Sequence, residues 1–146
     1  MSTLALTLAP TCRTVVLLVE SHEDTRDMYA ECLRDYGFTV TTADSTDDGL
    51  RRASNADVIV TEIRVHGSFD GLGLVGRLRH ADETKQTPIV VLTACAFESD
   101  RQRAQAAGCI RSDGIRTAAI VRRSIQSTRR VRGRRDDDRA AHGGSD

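Results

Sequence analysis

The chain has 146 residues, 39% of them apolar and 29% charged, and its 21 basic and 21 acidic side chains cancel. A chain of this length can fold as one domain without staples, and Cys12, Cys32, Cys95 and Cys109 show neither CxxC pairing nor zinc-site spacing, which argues against a disulfide or zinc scaffold. No apolar run approaches the roughly 20 residues of a membrane span, so a reducing, cytoplasmic setting is expected.

Charge is unevenly distributed. Residues 1–110 hold 11 basic and 16 acidic side chains, whereas residues 111–135 hold nine arginines and one aspartate. The sequence divides into a flexible leader at 1–13, a folded domain at 14–128 and a disordered charged tail at 129–146. The leader has no basic residue ahead of its apolar stretch, unlike a signal peptide, and the tail mixes charge blocks with Gly and Ser.

In chain order, VVLLV at 15–19 predicts a strand covered on both faces. From Glu23 to Tyr36, Met28, Tyr29, Cys32, Leu33 and Tyr36 recur at three- and four-residue spacing, acids fill the first turn and Gly37 marks the stop, so an amphipathic helix is predicted. A strand at 38–42 follows, then Ser45 as N-cap of a short helix at 47–53, and DVIVT at 57–61 predicts a third strand. A Gly-containing loop leads to a helix carrying Leu72, Leu74, Val75 and Leu78, and Pro88 opens the strand IVVLT at 89–93. A helix over 98–107 ends at Gly108. The segment CIRSDGI is a poor strand sequence, so a fifth strand is expected to cover only 109–111, before a last helix over 117–128. Alternating elements of this kind predict a doubly wound parallel sheet whose functional face lies at the carboxyl ends of its strands.

Those strand ends carry Glu20-Ser21-His22, Thr61-Glu62 and Thr93-Ala94. Together with the flanking segments LLVESHEDTRDMYAECLRDYGFTV, ADVIVTEIRVHGSFDGLGLVGRLR and TPIVVLTACAFESDRQRAQAAGC, they resemble the receiver domain of two-component response regulators over about residues 14–127. The resemblance implies a flavodoxin-like (βα)5 single domain that passes phosphorelay signals by protein contact and is not an enzyme. It also implies a pocket where an aspartate takes a phosphoryl group with magnesium held by acids, and where a hydroxyl and a lysine neutralise the phosphoryl oxygens.

Carried over residue by residue, the phosphoacceptor position is Glu62, the acid pair is Glu20 and Ser21, the hydroxyl is Thr93 followed by Ala94, and the lysine position is Ile115. The resemblance leaves Glu20 and Glu62 as weak metal ligands, so no cofactor or at most loosely held Mg2+ is expected. Glu62 moves the nucleophilic oxygen by about a bond length, when a misplacement near 1 Å can cost about a hundredfold. Ser21 removes a hard anionic ligand, Ile115 supplies no cation, and Ser112 stands where an aromatic is expected. A one-residue slip of the fifth strand puts Arg116 at the lysine position. The leading expectation is a pseudo-receiver that acts independently of phosphorylation. The alternatives are a working phosphoacceptor at Glu62, with His22 or Glu23 helping to hold the metal, a Glu62 that mimics a phosphorylated aspartate, and a basic carboxyl-terminal segment that binds nucleic acid or an acidic surface.

The partners implied are a histidine kinase or a downstream effector. The face of the fourth helix, fifth strand and fifth helix is expected to be basic through Arg111, Arg116, Arg122 and Arg123, fitting an acidic protein or a second copy of the chain. A membrane is excluded and nucleic acid is disfavoured, because the basic segment lacks interleaved aromatics. The four histidines share no metal-site spacing, no base adjoins a nucleophile beside Glu20 and Glu62, and GLGLVG at 71–76 falls inside helix periodicity rather than forming a phosphate loop.

Overall fold

The structure, a computed structural model, describes residues 14–94, 96–114 and 116–127. The leader, the tail, Cys95 and Ile115 lie outside the described residues. Five parallel strands, β1 (Val15–Val19), β2 (Thr39–Ala43), β3 (Val58–Glu62), β4 (Ile89–Leu92) and β5 (Ile110–Ser112), form one sheet in the order β2-β1-β3-β4-β5. The helices are α1 (Glu23–Asp35), α2 (Thr46–Arg52), α3 (Gly71–His80), α4 (Glu98–Ala106) and a last helix, α5, over 117–127.

The unbroken apolar runs follow from helices on both faces of the sheet. Successive strand residues point to opposite sides, so Leu17, Val19, Ile59 and Val91 join Leu74, Val75, Leu78 and Ala104 in one core layer. Val16, Leu18, Val60 and Leu92 pack with Leu33, Ala118 and Val121 in the other. Each fully buried Leu or Ile contributes about 2 kcal/mol of transfer free energy.

Strand boundaries differ from expectation by one residue. β2, β3 and β5 each begin and end one residue later than predicted, and β4 stops at Leu92. Glu62 is therefore the last residue of β3, and Ser112 of β5. In α1 the buried stripe is Ala30 and Leu33, with Tyr29 half-buried, while Met28, Cys32 and Tyr36 are exposed. Positions 28, 32 and 36 make their own row four residues apart, and that row faces away from the sheet.

The caps explain where the elements start. Ser45 accepts from Asp48 N at 3.2 Å, Asp70 accepts from Gly73 N at 2.8 Å, and His22, expected at most as a helper to a metal, caps α1 through Nδ1 and Thr25 N at 3.4 Å. The GLGLVG segment opens α3. Gly71 N donates to Ile63 O at 2.8 Å, and a β-carbon at residue 71 would collide with the carbonyl of Glu62, so only glycine lets α3 begin this close to β3.

Candidate functional site

Adjacent strands bring the predicted acids together. Val19 pairs with Thr61, so the residues that follow them, Glu20 and Glu62, emerge side by side from the carboxyl edge of β1 and β3. Glu20 is buried and its Oε1 accepts from His22 N at 2.9 Å. Arg26, one turn into α1, donates to the carbonyls of Glu20 and Ser21 at 3.1 and 3.4 Å. Glu62 is half-buried and its Oε1 turns back to accept from Ile63 N at 3.0 Å.

Burial pushes the Glu62 carboxyl above the usual carboxylate range, and the neighbouring Glu20 charge adds to the push. The Ile63 and Arg64 backbone N–H groups and the Arg64 guanidinium oppose it without cancelling it. Arg64 in turn spans to the start of α4, 3.6 Å from Asp100 and over the Phe97 ring at 5.2 Å.

Ser21 does a different task from its neighbour. Its hydroxyl oxygen accepts from His66 N at 2.7 Å and so anchors the β3–α3 loop. That loop is also held by Thr46 Oγ1, which donates to Phe69 O at 2.7 Å, and by Asp47, which accepts from Ser68 N at 2.9 Å. The bond from Ser68 holds the Asp47 carboxyl below the ordinary range.

Thr93 is buried, but its hydroxyl points away from the acids. It donates to Ser112 O at 3.2 Å, and Thr93 N donates to the same carbonyl at 2.7 Å. Ser112 Oγ lies 3.0 Å from Thr117 Oγ1 and accepts from Gly114 N at 3.2 Å, while Thr117 Oγ1 donates to Gly114 O at 2.9 Å. These bonds clasp the ends of β4 and β5 to the first turn of α5. Ala94 is exposed, and Ile115 lies outside the described residues. Arg116, the candidate lysine substitute after a slipped strand, instead lines a cleft between α4 and β5. Arg122 was expected on that same basic face, but it stacks on the Tyr36 ring at 5.1 Å and donates to Tyr36 O at 3.4 Å, which ties it to the end of α1.

Tyr29 is the site residue that periodicity did not single out. Its hydroxyl fills the space beside Gly114, whose φ of 99° and missing side chain make room for it. The ring thus reaches from α1 to the β5–α5 turn, and burial raises its phenol above the ordinary value, as do the charges of Glu62, Glu20 and Asp113. A tyrosine at helical spacing reads as core, and no local signal distinguishes the two roles.

The donor set at the acid pair is small for a magnesium ion. Two carboxylates are present, each with one oxygen bonded to a backbone N–H, and the adjacent hydroxyl is taken by the loop. Among the described residues no group of three or more His, Cys, Asp or Glu side chains could hold a metal.

A parallel five-stranded sheet with β3 at its centre and acids at the carboxyl ends of β1 and β3 defines a receiver-type signalling domain, and the family model for the response regulator receiver domain matches residues 16–112. The chain belongs to that family, whose members relay two-component signals by interacting with histidine kinases and effectors and are in general not enzymes. It is 33% identical over 95 residues to an uncharacterized 14.6 kDa protein of Leptolyngbya boryana, a match covering 64% of this chain and 72% of that one. Its structure is similar to that of the Vibrio cholerae chemotaxis protein CheY4, at 28% identity and a TM-score of 0.61 over 68% of this chain and 83% of the other. It is also similar to the receiver domain of the Pseudomonas aeruginosa sensor histidine kinase PA1611, solved with magnesium in its active-site cleft, at 25% identity and a TM-score of 0.67 over 79% and 96% of the two chains. No helix among the described residues is long and apolar enough to cross a membrane.

Proposed function

We propose that this receiver domain is a pseudo-receiver that signals by constitutive protein contact, independently of magnesium-dependent phosphorylation. The observation that carries the reading is how the acceptor position and its neighbour are used. Glu62 folds back onto Ile63 N, and Ser21 spends its hydroxyl on the β3–α3 loop. A metal would have to break these bonds and still find only Glu20 and Glu62 as anionic ligands, when Mg2+ demands near-ideal octahedral oxygen geometry. The residues therefore do not fit a tightly held magnesium. Mimicry of a phosphorylated aspartate by Glu62 has little to read it, since Thr93 is bonded towards Ser112 and the aromatic position is that serine.

In this reading the folded unit is 14–128, flanked by the leader and the charged tail, and the setting is cytoplasmic. Partner contact falls on the face of α4, β5 and α5, where Arg101, Arg111, Arg116 and Arg123 favour an acidic protein surface, with self-association as the second reading. Intact mass after incubation with Mg2+ and acetyl phosphate tests the proposal. Wild type, Glu62→Gln and Glu62→Asp are all expected to remain unmodified. Addition of one phosphoryl group to wild type, lost in Glu62→Gln, overturns it in favour of a working phosphoacceptor.

A further inference from the structure

A cleft of about 430 Å³ opens between α4, β5 and the start of α5, and its lining includes Arg101, Arg111, Arg116, Thr93, Ser112 and Asp113. Most described arginines are engaged elsewhere in the fold. Arg26, Arg34 and Arg79 donate to backbone carbonyls, Arg51, Arg52, Arg64 and Arg103 face carboxylates, and Arg77 and Arg122 stack on rings. Arg111 and Arg116 have no such partner among the described residues, and both line this one cleft. The third, Arg101, holds only an exposed pair with Glu98 at 3.6 Å, of the kind that contributes little. Three guanidiniums from three elements thus surround one volume with a single carboxylate, Asp113, in the wall.

We infer that this cleft binds a phosphate group, as a small, multiply charged oxyanion. Guanidinium forks match phosphate oxygens two at a time, and several of them around one site offset the charge of a dianion better than that of a single carboxylate. Thr93 and Ser112 also line the cleft, but their hydroxyl hydrogens are spent on Ser112 O and Thr117 Oγ1, so the three guanidiniums carry the binding. The volume lies within the range of about 300–1,000 Å³ of small-molecule sites, which favours a small ligand over an acidic protein segment. The inference goes beyond the constitutive-contact reading and stands without it, because the cleft is separate from the magnesium question at Glu62. A filled cleft would carry less positive charge, so the same ligand would weaken the docking of an acidic partner.

The test is calorimetric titration of the full chain, at low ionic strength, with inorganic pyrophosphate, with ADP and with a hexaglutamate peptide. Saturable one-to-one binding of pyrophosphate is expected. Tighter binding of ADP assigns the phosphate to a nucleotide, and binding of pyrophosphate alone assigns it to the free anion. The double variant Arg111→Gln/Arg116→Gln is expected to bind about a hundredfold more weakly, about tenfold for each guanidinium removed. Arg116→Gln alone gives the single step should the double variant fail to melt cooperatively. Arg52→Gln, on α2 outside the cleft, leaves the affinity unchanged. Absent or non-saturable binding of pyrophosphate overturns the inference, as does binding that survives the double variant, an equal loss in Arg52→Gln, or binding of hexaglutamate alone.

Discussion

The two halves of the sheet's carboxyl edge are built on opposite principles. At β1 and β3 the strands are buried, and the edge presents carboxylates in a partly dry setting, with Glu20 buried and the Glu62 carboxyl raised by burial. At β4 and β5 the edge presents hydroxyls that are bonded to one another, and β5 itself is exposed at Ile110 and Arg111. The acid half sets two carboxyl groups side by side, and burial raises one of them, so a proton is held there more readily. The hydroxyl half ties Ser112 to Thr117 and Gly114 and lines the neighbouring cleft with arginines. In the proposed pseudo-receiver reading, the scaffold retains its sheet and part of its acid edge while the hydroxyls of the other half are bonded to one another.

The largest expected effect is on the acid half. Gly71→Ala drives a β-carbon into the backbone carbonyl of Glu62, where no rotamer can move away, and is expected to cost about 3 kcal/mol in a denaturant melt. A loss below a few tenths of a kcal/mol would mean that α3 does not depend on that close approach. On the hydroxyl half, Ser112→Ala leaves Thr117 Oγ1 and Gly114 N without the oxygen they share, and about 1–2 kcal/mol should go. An unchanged melting curve would show that water replaces the clasp.

Smaller effects come from charge. Because burial raises the Glu62 carboxyl, the folded chain keeps its proton to higher pH than the unfolded chain does. Stability linked to this group is then complete below the ordinary carboxylate range and is lost as pH rises through the raised value. Glu62→Gln escapes that loss, so it should be more stable than wild type at neutral pH, and the gap should close towards pH 4. A gap that widens on acidification would contradict the burial argument. The finest probe is optical. The chain has two tyrosines and no tryptophan, so in a Tyr36→Phe background the ultraviolet titration reports Tyr29 alone. Glu62→Gln removes a charge that raises the phenol, and the midpoint should fall; no movement would separate Tyr29 from the acid pair.

The buried strands were legible because two-sided burial leaves an unbroken apolar run, and the capped helices because Ser45, Gly37 and Gly108 are local signals. β5 was less legible, since only Ser112 of its three residues is buried and an exposed short strand needs no pattern. At the site, Glu20, Glu62 and Thr93 were found by position, but not the direction of their bonds. The Thr93 hydroxyl turns towards Ser112 because β5 offers a carbonyl there, a long-range fact that no window of sequence contains. The same holds for Ser21, whose partner His66 is 45 residues away, and for Arg122, which a helical face assigned to the wrong side.

The central claim is that the acid half no longer holds magnesium, and the direct measurement is an Mg2+ titration followed by amide chemical shifts of residues 20–22 and 62–66. In wild type, no saturable shift is expected into the millimolar range, whereas a Ser21→Asp/Glu62→Asp variant should gain a one-to-one transition. A saturable one-to-one shift in wild type at those same amides would contradict the account and return the chain to metal-dependent switching.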